Sequence, residues 1–216
     1  MTVPVRLVAL GEQLAGALRD RIIRGSIAPG THLVEDAIAA EYDISRGPVR
    51  DALRTLQTEG LVEPRRRGYH TRPFTEEDVE ELYQVRGAAE RLACSLALAR
   101  DGADWGRAEG FMTTMRTAAD AGDSHAYATA DLAFHTEFYR NSGNARLLAL
   151  WQQFQPTFAT LLDITNAQDA DLHPSCEDHA RMLQLATTGA LEQLIALLEN
   201  HLDGSRRRIL AAIQGG

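Results

Sequence analysis

The residues of this 216-residue chain best suited to chemistry are an aspartate and three histidines in its second half. Asp131 and His135 stand four apart, a spacing that on a helix puts both side chains on one face, within reach of one ion. His179 and His201 follow, each set in an apolar helical pattern: His179 with Met182, Leu183 and Ala186, His201 with Leu194, Leu197 and Leu198. A buried imidazole needs a partner, so histidines converging from several helices suggest a bound cation. The Asp-x-x-x-His spacing alone is common, and each histidine taken singly reads equally as a hydrogen-bonded core or surface residue. His125 and His173 fall outside the pattern, as loop or helix-end residues.

A second chemistry is carried by arginine. Arg46, Arg50 and Arg54 recur every four residues and form one stripe, while Val49, Ala52, Leu53 and Leu56 form an apolar stripe on another face. Ser45 is placed to cap this helix, and Pro48 falls in its first turn, where a missing N–H costs little. A short helix over Glu35 to Tyr42 precedes it, joined by Asp43-Ile44, which is the layout of a helix-turn-helix. Leu7, Leu10, Leu14, Leu18 and Ile22 mark a helix before both. Leu61-Val62-Glu63 and Tyr69-His70-Thr71 read as two short strands joined by the turn Arg65-Arg66-Arg67-Gly68, a wing.

Pro73 and Glu76-Glu77-Asp78 open a linker and a long helix, and from there only helical periodicity is visible, enough for about six helices. The expected fold is mainly α: a winged helix-turn-helix of three helices plus a β-hairpin over residues 1–72, a linker and first helical turn over 73–80, and an all-α bundle over 81–216. Charge divides the same way. Residues 1–72 hold 11 arginines against 9 acidic residues, a net of +2, whereas 73–216 hold 11 against 21, a net of −10. Positive charge confined to one end suits nucleic acid despite the overall −8. The absence of an apolar run of about 18 residues argues against a membrane span. No signal peptide is visible, and the isolated Cys94 and Cys176 suggest a reducing, cytoplasmic setting.

The segments Arg24-Gly25-Ser26-Ile27-Ala28-Pro29-Gly30, Leu33-Val34-Glu35, Ser45 to Leu53 and Glu59-Gly60-Leu61-Val62 together resemble the winged helix of the GntR family. The helical remainder is similar to the FCD effector domain of that family's FadR-like branch. The resemblance implies a homodimeric regulator, and not an enzyme, that binds a palindromic double-stranded operator, most commonly as a repressor. By the same resemblance Arg46 and Arg50 contact bases or phosphates, Ser45 and Arg54 the backbone, and Arg67 and Gly68 the minor groove at the wing tip. An arginine fork can pair with O6 and N7 of guanine. Asp36 stands where some FadR-like members carry arginine, which implies a lost DNA contact.

For the second half the resemblance implies that Asp131, His135, His179 and His201 together hold a divalent metal. One carboxylate and three neutral imidazoles suit Zn, Ni, Mn or Fe better than Ca. It also implies a small carboxylate effector anchored by Arg86, although Arg86 and Glu90 at i, i+4 read equally as a pair on the helix surface. Ala89, where relatives often have leucine, would enlarge the space. Arg140, Arg146 and Arg206-Arg207-Arg208 read as solvated or dipole-facing, and Trp151 and Phe154 as bundle core. Two alternatives remain: a regulator for which the metal itself is the signal, and a metal-dependent hydrolase, against which no nearby H-E-x-x-H base is found.

Overall fold

The computed structural model describes residues 10–169 and 171–214, and the chain divides into two compact units, Met1–Phe74 and Thr75–Gly216. Leu7, read above as part of the first apolar stripe, lies outside the described residues.

The first unit runs α1 (Leu10–Ile23), β1 (His32–Leu33), α2 (Glu35–Glu41), α3 (Arg46–Thr58), β2 (Val62–Arg65) and β3 (Gly68–Thr71). The apolar stripe of α3 is wholly buried, and it shares one core with Leu14, Leu18 and Ile22 of α1 and Ile38 of α2. Gly11 lets α1 and α3 close up: a Cβ there would meet the Pro48 carbonyl oxygen and the Asp51 Cβ at 3.1 Å each. Arg19 on α1 donates to both carboxylate oxygens of Glu59, at 2.7 and 2.6 Å, where the chain leaves α3. This buried fork fixes the long axis of α3 against α1.

Three local expectations are corrected. Ser45 does hold the N-cap position of α3, with extended backbone, but its side chain makes no capping hydrogen bond. The third residue of α3 is Pro48, which has no N–H to offer a capping oxygen. The wing hairpin has a third strand: the sheet order is β1-β3-β2, all antiparallel, with His32 opposite His70. A two-residue strand carries too short a pattern to be seen in sequence. Arg65 belongs to β2, paired across to Gly68, so the turn is Arg66-Arg67 alone.

Among the described residues the second unit holds six helices: α4 (Glu76–Ala99), α5 (Gly106–Ala121), α6 (Ser124–Asn141), α7 (Ala145–Asn166), α8 (His173–Thr187) and α9 (Leu191–Gln214). Thr75 and Asp78 form a reciprocal capping box at the start of α4. Gly122 closes α5 in the left-handed conformation at φ 66°, which a residue with a Cβ adopts only with strain. Helix α6 is the central one. Its buried residues include Tyr127, Asp131, Phe134, His135 and Phe138 and go round most of its circumference, as expected of a helix enclosed by others. Its Tyr139 stacks in series with Trp151 and Phe158 of α7, with Tyr83 edge-on to Phe158. Trp151 is core as expected, whereas Phe154 is only half-buried. No helix of the described residues is long and apolar enough to cross a membrane.

Candidate functional sites

In the second unit, α6 contributes Asp131 and His135, one turn apart, while α8 contributes His179 and α9 His201. One ligand atom from each lies within 4.8 Å of all the others, and all four residues are buried. His179 Nε2 is 3.2 Å from His135 Nε2 and 3.2 Å from Asp131 Oδ2, and His135 Nε2 is 3.8 Å from Asp131 Oδ1.

The far side of each ring explains why the near sides converge. His135 Nδ1 donates to Glu90 Oε2 at 2.7 Å and His179 Nδ1 to the Ser175 carbonyl at 2.6 Å, while His201 Nδ1 lies 3.4 Å from Asp178 Oδ2. A neutral imidazole has one N–H, so a ring that spends it on Nδ1 turns a lone pair on Nε2 inward. His135 and His179 thus aim two lone pairs at each other and at a carboxylate, an arrangement that calls for a cation. Asp131 Oδ1 adds a buried acceptor without a hydrogen-bond partner among the described residues. The donor set fits a divalent transition metal.

Electrostatics agree. Burial and the neighbouring His179 push the His201 pKa down to about 4, leaving it neutral and able to ligate near pH 7. An open cavity of about 290 Å³, lined in part by Ser175, Asp178, Asn200 and Arg208, touches the cluster at His201 alone.

Arg86 pairs with Glu90 through Nε to Oε1 at 2.6 Å, but not on the surface: both side chains are 1% exposed. The expectation of a surface pair is corrected, because α4 presents this face to the core. The Arg86 guanidinium sits 4.8 Å from the Phe158 ring centre and 5.4 Å from that of Trp151, and its Nη2 has no hydrogen-bond partner among the described residues. A buried cation with one unused donor group suits an anion. Ala89, expected to enlarge the space, is buried on the same helix. Arg208, read as solvated or dipole-facing, is corrected in part: its Nε is buried without a hydrogen-bond partner, 4.0 Å from Asp169. Arg206 joins Glu80 and Asp203. Arg140 pairs with Glu137, whereas Arg146 is exposed. His125 and His173 are exposed helix-start residues bonded to Asp163 and to Asp171 and Asp120.

In the first unit, Arg46, Arg50 and Arg54 lie exposed along α3. The sequence did not reveal that α2 supplies Arg46 and Arg50 with carboxylates. Arg46 Nε is 2.5 Å from Asp36 and Arg50 Nε donates to Glu35 at 2.7 Å, while Arg54 is 3.9 Å from Asp51. Arg66 and Arg67 are exposed at the hairpin turn, and Gly68 opens β3 at φ 98°.

The chain matches the FCD domain family over residues 81–204 and the gntR family of bacterial regulatory proteins over residues 10–69. The gluconate operon transcriptional repressor of Bacillus licheniformis is 29% identical over 175 residues, which are 80% of this chain and 71% of the relative. A protein of Paenarthrobacter nicotinovorans named "Probable D-xylose utilization operon transcriptional repressor" is 29% identical over 194 residues, 88% of this chain and 85% of the relative. The crystal structure of a GntR transcriptional regulator from Rhodococcus sp. RHA1 superposes with a TM-score of 0.67 at 27% identity, covering 94% of this chain and 98% of that one.

Proposed function

Because the chain belongs to the GntR family of bacterial regulatory proteins and carries an FCD domain, we propose that it is a ligand-responsive transcriptional repressor of the cytoplasm. It binds a palindromic double-stranded operator as a homodimer. The family is one of transcription regulators, so the hydrolase alternative is set aside. The DNA contacts are Arg46 and Arg50 to bases or phosphates, Ser45 and Arg54 to the backbone, and Arg67 with Gly68 at the wing tip.

The observation that carries the ligand-responsive part is the convergence of Asp131, His135, His179 and His201, buried, with His135 Nε2 and His179 Nε2 3.2 Å apart. These four residues would hold a divalent ion (Zn, Ni, Mn or Fe), which would offer a Lewis-acidic contact to a small carboxylate. Arg86 Nη2 supplies a second, cationic contact for the same anion. The chain's own residues fix the rings through Glu90 and the Ser175 carbonyl. Effector binding then changes DNA affinity by as much as its affinity differs between the two states of the protein. The sugar-acid and sugar operons named for two relatives support a small polar metabolite as effector class.

One observation favours a second reading, in which the ion alone is the signal: Arg86 already spends its Nε on Glu90 and is nearly inaccessible. Metal analysis on protein purified without metal-affinity steps tests both. We expect about one ion per chain in the parent and none in the His179→Ala variant, with operator release by small carboxylates. Release that follows free metal with no carboxylate selects the second reading. A folded, metal-free parent that binds DNA sinks both.

A further inference from the structure

The buried chain Arg86–Glu90–His135 has a logic beyond charge pairing. Building on the cluster as a metal site, we propose that Glu90 is a positioning residue: it holds His135 as the Nδ1–H tautomer, and Arg86 makes this a task that only a carboxylate can perform.

Glu90 uses both oxygens, Oε1 toward Arg86 Nε at 2.6 Å and Oε2 toward His135 Nδ1 at 2.7 Å, with all three side chains at most 1% exposed. Arg86 Nε can only donate, and its guanidinium held against Oε1 favours the carboxylate form of Glu90. Ionised, it only accepts, so His135 must donate from Nδ1 and leave Nε2 bare toward His179. An amide at position 90 has one acceptor oxygen and one donor NH2. Arg86 Nε can only donate and claims the oxygen. The NH2 then faces His135 Nδ1, which becomes the acceptor, and the ring proton moves to Nε2, into the place where an ion would bind. The opposite amide orientation sets two buried donors against each other at Arg86, which is costly.

Metal-free protein with 15N-labelled histidine separates the two tautomers by long-range 1H–15N correlation. The parent is expected to show His135 as Nδ1–H and Glu90→Gln as Nε2–H. Zn2+ affinity, read by competition with a chromogenic chelator, should fall roughly 10- to 100-fold in Glu90→Gln, the usual size of an outer-sphere loss. Adding Arg86→Met to Glu90→Gln frees the amide oxygen for His135 and should restore both the tautomer and most of the affinity, a rescue that lost packing cannot give. His135 found as Nε2–H in the parent overturns the proposal, as does a Glu90→Gln variant with unchanged tautomer and Zn2+ affinity within about threefold. A double variant still in the Nε2–H form overturns it as well. If Glu90→Gln fails to fold, the parent's tautomer decides alone. A parent with the Nδ1–H form but no Zn2+ uptake ends the metal reading and leaves the tautomer assignment standing.

Discussion

Each histidine of the cluster is steered from behind by a different kind of acceptor: a buried carboxylate for His135, a backbone carbonyl for His179 and a half-exposed carboxylate for His201. The weakest hold is on His201, and its burial gives it a pH signature. Unfolded, His201 takes up a proton below about pH 6.5, but folded only below about 4. In metal-free protein the unfolded state therefore binds more protons between those values. Stability is unaffected by this group above pH 6.5 and falls as pH drops through the window, by up to about 3 kcal/mol. Denaturant melts at pH 7, 6 and 5 should show this slope in the parent and a shallower one in His201→Gln, and equal slopes would refute it. At this scale the sequence exposed the four residues of the cluster, because i, i+4 spacing and apolar flanks are local. It did not expose Ser175 or Asp178, since a carbonyl leaves no trace in residue type and Asp178 is one acid among many.

At the scale of elements, the meeting of α2 and α3 matters most. The turn between them includes Asp43 at φ 50°, and it brings Glu35 and Asp36 alongside Arg50 and Arg46. The arginine face of α3 is thus partly neutralised by neighbouring acids, with side chains that remain half-exposed and able to exchange partners. Exposed ion pairs are each worth about 0.2–1 kcal/mol, so phosphates compete with them readily. Asp36→Asn should therefore tighten duplex DNA binding about two- to fivefold at low salt, an effect of this same order. Arg50→Ala should weaken operator binding by about 1–3 kcal/mol and lower the salt slope. Anisotropy titrations at two salt concentrations read both, and weaker binding by Asp36→Asn would refute the competition. Sequence alone read Asp36 as a missing DNA contact; its partner Arg46 depends on how the two helices cross, which no local pattern encodes.

At the scale of the molecule, the chain divides between Phe74 and Thr75 into units that each bury a core of their own. The four candidate ligands all lie in the second unit. Zn2+ at about 100 times its dissociation constant should stabilise that unit by about 2.7 kcal/mol. In calorimetry this appears as a rise of roughly 5–10 °C in one transition, reversed by chelator. An equal shift of every transition, or none, would count against a site confined there. The helix content, the apolar stripe of α3, the helical second unit and the residue types of the cluster were legible in the chain alone, because these depend on period, turn residues and side-chain chemistry within a few positions. Folding in three dimensions was needed to bury Arg86 and Glu90, to turn Nε2 of His135 toward its neighbours, and to bring the acids of α2 to Arg46 and Arg50. Those outcomes depend on which helix faces which, and a contact between Glu90 and His135, 45 residues apart, is set by packing and not by spacing.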